Sequence, residues 1–262
     1  MSPLGSAALV LVVSLVALWL LSLRLRNVAI IDLFWGFGFV LCAWVYHSHH
    51  PVLDLRQGCQ LALVTLWGLR LSLYLTWRNH GKGEDRRYAA MRQAVGPSFQ
   101  YRSLITVFGL QGGLILLISA PLLLVQTANP SAWAWSDTLA IVAWLIGFFF
   151  EAVGDWQLAR FKADPANRGR VLDRGVWALT RHPNYFGDAM IWCGLFLFAI
   201  ALPGGWRTVF APVVMTFFLL RVSGVALLEK DIAERRPEYR AYIESTSAFI
   251  PWFPRRRDSR QT

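Results

Sequence analysis

The sequence predicts an all-α integral membrane protein, a bundle of seven transmembrane helices with its N-terminus outside and its C-terminus in the cytoplasm. Three observations predict it. Hydrophobic residues make up 55% of the 262 positions and charged ones only 16%, with a mean hydropathy of +0.41. That balance belongs to membrane chains rather than to soluble domains. Seven apolar runs are long enough to approach the ~20 residues a helix needs to cross the hydrocarbon core. Lys and Arg collect in alternate connections between those runs. Helices are the expected element, since a strand edge in lipid leaves its backbone groups unpaired.

In chain order the runs are Leu4–Leu23, Val28–Tyr46, Gly58–Trp77, Leu104–Val125, Thr138–Leu158, Phe186–Ala201 and Val209–Leu228. The first has no basic segment before it, which argues against a cleaved signal peptide. The connections after the first, third, fifth and seventh runs hold 2, 6, 6 and 8 basic residues; those after the second, fourth and sixth hold 1, 0 and 1. The basic connections are expected to be cytoplasmic. The net charge of +10 is therefore mostly this bias, suited to anionic lipid heads, and no motif supports nucleic-acid binding. No repeat or linker divides the chain, so residues 1–262 read as a single polytopic domain. Cys42, Cys59 and Cys193 fall in or beside apolar runs without metal-ligand spacing and read as small buried hydrophobes.

Charges inside the runs are the first pointers to chemistry, because they are costly in lipid and usually face a cavity or a partner. Asp32 opens the second run, Arg70 lies in the third and Arg221 in the seventh, with Glu229 eight residues beyond it. Glu151 and Asp155 lie four apart in FFFEAVGDWQ, on one helix face. A purely structural account pairs these acids with Arg70 and Arg221; the functional account is a polar cavity open to the cytoplasm.

Two cytoplasmic connections, Trp77–Arg92 and Arg160–Asp188, mix glycine with Arg, Lys, Asn and Asp. Glycine permits close backbone approach, and Arg forks bind phosphate, so both suit an anionic nucleotide. No G-x-G-x-x-G or Walker pattern is present, which excludes a Rossmann or P-loop site. The stretch TRHPNYFGD, Thr180–Asp188, then reads as a helix entrance. Pro183 fits the first turn, and Thr180 is a candidate cap beside Arg181 and His182. Asn184, Tyr185 and Asp188 occupy the first turns, where a helix attracts anions and ligand oxygens.

DRGVWALTRHPNYFGD together with LLRVSGVALLEKDIAERRPEYRAYIESTSAFIPWFP resembles the bacterial membrane proteins related to steroid 5α-reductases, most strongly from Glu151 onward. The shorter R-H-P-x-Y-x-G pattern is also typical of isoprenylcysteine carboxyl methyltransferases. The reductase resemblance implies a multi-pass protein of the bacterial inner membrane with NADPH held between its helices and cytoplasmic loops. The cofactor half would be residues 151–254, and the reaction hydride transfer to the double bond of an enone in a hydrophobic lipid or steroid-like substrate. Asn184 stands where the reductases place a cofactor-contacting Asn, and Asp188 replaces the Glu of their N-x-x-G-E. Asp155 and Lys162 match an acid and a basic position, Lys standing for Arg at the latter. Arg221 matches an Arg of the last span, and Arg78 and Asn79 fall near a cofactor loop. Arg168, Arg170, Arg181 and His182 join this cofactor set from the second loop, and Glu229 from the last span.

The chain departs from the reductases in lacking their early Gln-Glu pair, in carrying Trp67 for a Tyr, and in carrying Val225 and Glu229 for a His and a Tyr. The substrate half thus carries over less well than the cofactor half. Candidate proton donors are Asp32, Tyr74 and Tyr185. The clusters Arg78, Lys82, Arg86, Arg87 and Lys162, Arg168, Arg170 favour NADPH over NADH, which lacks the 2′-phosphate. Two other classes compete: an S-adenosylmethionine-dependent lipid or prenyl methyltransferase, and a non-catalytic lipid-binding protein. Against the methyltransferase, a sulfonium needs no phosphate clamp.

Overall fold

In the computed structural model, which describes residues 1–51, 53–222 and 238–254, every regular element among the described residues is helical. They are α1 (Pro3–Leu25), α2 (Ile30–Ser48), α3 (Leu55–Asn79), α4 (Arg86–Val95), α5 (Phe99–Ser103), α6 (Leu110–Ile118) and α7 (Ala120–Gln126). There follow α8 (Trp135–Ala163), α9 (Val176–Leu179), α10 (Pro183–Ile200), α11 (Phe210–Phe217) and α12 (Glu238–Ser245). Among the described residues, five helical stretches are long and apolar enough to cross a membrane: α1, α2, α3, Arg86–Ile118 and α8. The chain packs as two compact units, residues 1–137 with 198–211, and residues 138–197 with 212–262.

The first unit is built on α2. Its Gly36 lies against Gly68 of α3 so closely that a Cβ on either would come within 2.7 Å of the other's carbonyl oxygen. Gly38 receives Ile115 of α6, and Gly112 of α6 receives Leu15 of α1. Phe39, Val64, Trp67, Phe108 and Ile118 fill the core between these small-residue contacts. Leu9, Val13 and Leu20 on α1, and Leu66 and Leu73 on α3, stay exposed, as lipid-facing residues should.

The fourth expected run, Leu104–Val125, is not one helix. The backbone takes wider turns over Leu104–Gly109, resumes as α6, stops at Ser119 and restarts as α7. Pro121 explains the stop, since its ring and missing N–H interrupt the ladder of the preceding turn. The Ser119 hydroxyl turns into the core to meet the Tyr46 hydroxyl at 2.8 Å. The connection before it, read from sequence as a loop, contains α4, whose Asp85 side chain caps the Arg87 N–H. Arg86–Ile118 would run ~50 Å as one helix, well beyond a ~30 Å hydrocarbon core.

In the second unit, α8 and α10 run antiparallel in a seven-residue register. A Cβ on Gly194 would lie 2.7 Å from the Ala140 carbonyl, one on Gly147 2.5 Å from that of Gly187, and one on Gly154 3.0 Å from the Pro183 ring. This crossing places every polar group discussed next. The sixth expected run is α10, starting at Pro183 as its missing N–H favours. Within the described residues, the seventh is α11 followed by wider turns over Phe218–Val222. Glu229 and Val225 lie outside the described residues.

Candidate functional site

The TRHP segment is strapped to the chain beyond α12. Thr180 Oγ1 donates to the Phe249 carbonyl at 2.9 Å, and it accepts from the His182 N–H at 3.3 Å. The Arg181 N–H donates to the Ser247 carbonyl at 2.9 Å. The Arg181 guanidinium, 7% exposed as a residue, donates to the carbonyls of Thr246 (2.6 Å) and Ile243 (3.1 Å). The Tyr242 hydroxyl donates to the Trp177 carbonyl, and the Trp252 N–H to that of Leu179. Arg181 thus donates to carbonyls at and just past the end of α12, a role its planar fork suits. The backbone entering α10 is held from both sides as a result.

Against this fixed entrance the glycine crossing presses α8. Gly187 faces the Glu151 backbone N–H, and Gly154 lies beside Pro183 and the Asn184 backbone nitrogen. Glu151, Asp155, His182 and Asp188 are all buried at this one crossing, while Asn184 and Tyr185 are half-buried. The rings of His182 and Tyr185 stack in parallel, 5.6 Å between centroids and 4° between planes. Burying three carboxylates together is costly unless charge and hydrogen bonds compensate, so the crossing is a functional candidate. At 100° per residue Glu151, Asp155 and Lys162 share one face of α8. Lys162, Arg168 and Arg170 are exposed on the loop end beyond it. Arg221, in the same unit, is exposed at the end of the wide-turned segment.

The remaining sequence candidates fall in the first unit. Asp32 accepts the Tyr88 hydroxyl at 2.7 Å on one oxygen and Arg87 Nη2 at 2.9 Å on the other, with Gln111 at 3.3 Å from the first. In this geometry Asp32 is an acceptor holding α4 to α2 and α6. One turn away, Arg92 grips Glu84 with two hydrogen bonds of 2.7 and 2.8 Å, and Glu84 also accepts the Val28 N–H. The Arg92 bonds hold the Glu84 carboxyl below the usual carboxylate range, against the effect of burial. Tyr74 lies under two cations, Arg70 at 5.3 Å and Arg78 at 5.7 Å. Arg78 also donates to Asn79 at 3.3 Å.

Tyr88 and Arg92 lie on α4, which the sequence presents only as a basic connection, and Gln111 is an uncharged residue inside an apolar run. The signal was present in Asp85 itself, an N-cap residue type that caps a short helix here. The seven-residue spacing of Ala140, Gly147 and Gly154, answered by Gly187 and Gly194, was the available signal for the crossing. A cleft of about 500 Å³ at the end of α8, lined by Trp156, Arg160 and Arg174 among others, was likewise missed.

A family of proteins of unknown function, DUF1295, matches residues 18–246. The chain belongs to this family. The match takes in both units and the whole α8–α10 crossing, so the buried acids and the TRHPNYFGD entrance lie within the DUF1295 region. Among curated proteins, the uncharacterized protein C594.04c of Schizosaccharomyces pombe is 27% identical over 264 residues, covering 89% of this chain and 75% of the yeast protein. No solved structure matches.

Proposed function

We propose that this DUF1295 chain is an NADPH-dependent membrane oxidoreductase that reduces the carbon–carbon double bond of an enone lipid, steroid-like or isoprenoid, in a bacterial inner membrane. The observation that carries the reading is the α8–α10 crossing. It sets the first turn of α10, with the Asn184 backbone nitrogen, beside Gly154 of α8, the helix that also bears Glu151, Asp155 and Lys162. Those residues fit the cofactor: a carboxamide needs a paired donor and acceptor, which Asn184 offers, and phosphates need cations, which Lys162, Arg168 and Arg170 offer beyond it. The likeness to steroid 5α-reductases rests on the same residues.

When bound, NADPH supplies the hydride that reduces the enone's β-carbon. The chain must hold the carbonyl and deliver one proton to the α-carbon. Tyr185 is the donor candidate in the same unit as the acids; its ring is held parallel to His182, and its hydroxyl is within a half-buried setting suited to proton transfer. Tyr74 and Asp32 are weaker choices, the first covered by two arginines and the second already accepting from Arg87 and Tyr88.

The deciding experiment measures the unfolding temperature of the detergent-purified protein with NADPH, NADH or S-adenosylmethionine, since a ligand of the folded state stabilises it by mass action. NADPH should stabilise most, and its affinity should fall with added salt as exposed charges are screened. Asn184→Ala and Arg221→Ala should each weaken NADPH by roughly ten- to a hundredfold, the equivalent of ~1.5–3 kcal/mol. Stabilisation by S-adenosylmethionine alone would replace the reductase with a methyltransferase.

The same reading takes seven spans, with the N-terminus outside and the loops around Gly83 and Gly169 in the cytoplasm, from the distribution of basic residues. A cysteine placed at either glycine should resist membrane-impermeant labelling in intact cells and react after the membrane is opened. Labelling in intact cells would reverse the topology.

A further inference from the structure

The cleft at the end of α8 does not belong to the acidic crossing. Trp156 and Arg160 lie at i and i+4, and at 100° per residue they fall on the side of α8 away from Asp155 and Lys162, while Asp164 stands just past the helix end. The cleft of about 500 Å³ is closed on its far side by Asn167, Leu172 and Arg174 of the following loop. That wall is pinned to α8: the Val176 N–H donates to Gln157 Oε1 at 3.1 Å, and Trp177 Nε1 donates to the Gly154 carbonyl at 3.0 Å. Arg160 lies over the Trp156 ring at 5.7 Å.

This face continues an apolar stripe along the same helix. Val142, Leu145, Ile146 and Phe149 are 42–55% exposed, and Trp156 is 57% exposed. From Leu139 to Trp156 the stripe covers ~26 Å, close to the ~30 Å hydrocarbon thickness. A bare apolar stripe ending in an amphipathic Trp is the pattern of a helix meeting the membrane–water interface. Here the interfacial end opens into a fixed cleft holding two arginines. Five basic residues against two acidic ones lie between Arg160 and Arg174. Of the two, Asp164 is tied to the backbone, accepting from the Ala166 N–H at 2.9 Å.

We propose that the cleft is a binding site for the phosphate headgroup of an anionic phospholipid, whose acyl chain lies along the Val142–Phe149 stripe. Arg160 and Arg174 face the phosphate, and Asn167 and the Trp156 edge meet the glycerol region. Charge complementarity selects the head; the exposed stripe selects a lipid over a soluble anion. The site requires only that α8 crosses the membrane, and it stands or falls independently of the cofactor.

Native mass spectrometry of the detergent-purified protein with added phosphatidylglycerol or phosphatidylcholine tests it. The wild-type chain should retain phosphatidylglycerol in preference to phosphatidylcholine, and inorganic phosphate should not displace it. The Arg160→Ala, Arg174→Ala double variant should bind phosphatidylglycerol about ten- to thirtyfold more weakly. Its unfolding temperature without lipid should stay close to wild type, since both side chains are exposed and the Arg160–Trp156 contact is a surface one, which separates lost binding from lost fold. Equal retention of the two lipids, or unchanged retention by the double variant, overturns the proposal. So does displacement by inorganic phosphate, which would assign the cleft to a soluble anion. A Trp156-dependent dimer that binds no lipid would assign the stripe to a second copy and overturn it as well.

Discussion

Replacing Arg56 with alanine should destabilise the first unit by about 3–5 kcal/mol, the cost of leaving one member of a buried ion pair alone. Arg56 and Asp137 are 2% and 0% exposed and meet at 2.7 Å. The pairing is a fork: Arg56 Nε donates to Oδ1, and Nη2 donates to Oδ2 at 2.8 Å. The remaining donors reach the Ala132 carbonyl and the Ser131 hydroxyl. Asp137 also accepts the Ala134 N–H at 2.7 Å, and Asp54, which caps α3, accepts the Ser131 N–H at 3.0 Å. One guanidinium therefore fixes the start of α3, the start of α8 and the connection before α8. Asp137→Ala should cost a similar amount. Arg56→Met combined with Asp137→Leu should cost clearly less than either single change, because no charge is then stranded. Thermal unfolding in detergent decides it; single variants as stable as wild type would show that the pair contributes nothing.

Arg56 also marks what the sequence could not show. In the basic-residue count it is the single positive charge after the second run, indistinguishable from a solvated loop arginine. Its partner lies 81 residues away, and only the folded chain brings the two together. The same limit applies to Asp32, whose intramembrane charge was legible while its partners Arg87 and Tyr88 were not. The helices α1, α2, α3 and α8 were legible because each is a continuous apolar run. Ser119 and Pro121 sit inside an apolar run of the same kind, and a composition window reads across them. At the α8–α10 crossing the residues were legible and their meeting was not. Glu151 and Asp155 were read as one helix face and TRHPNYFGD as a helix entrance, but the register joining them depends on backbone approach between glycines.

That register makes the second large prediction one of sign. In an isolated helix Gly→Ala stabilises by about 1 kcal/mol, through backbone entropy. Gly113 on α6 has nothing within 4 Å of a built Cβ, and Gly113→Ala should follow that rule or be neutral. Gly187→Ala should instead destabilise by about 1–3 kcal/mol. Its Cβ would lie 2.5 Å from both the Glu151 nitrogen and the Gly147 carbonyl oxygen, and 2.7 Å from the Glu151 Cβ. Two of those atoms are backbone and cannot rotate away, so the helices must separate. Gly147→Ala meets the Gly187 carbonyl at 2.5 Å and the Ile191 nitrogen at 2.7 Å from the other side, and it should behave alike. Asn184 and Asp188 flank Gly187 on the same helix, and Glu151 faces it across the crossing. A shift of the helices therefore displaces the proposed cofactor contacts at the same time, and near 1 Å of misplacement is enough to degrade a positioned site by about a hundredfold. Unfolding temperature and NADPH affinity should fall together in the Gly187 and Gly147 variants, while in Gly113→Ala the first stays at or above wild type and the second is unchanged. A stabilised Gly187→Ala protein would mean that α8 and α10 do not cross at these glycines, and the assembled site would go with the crossing.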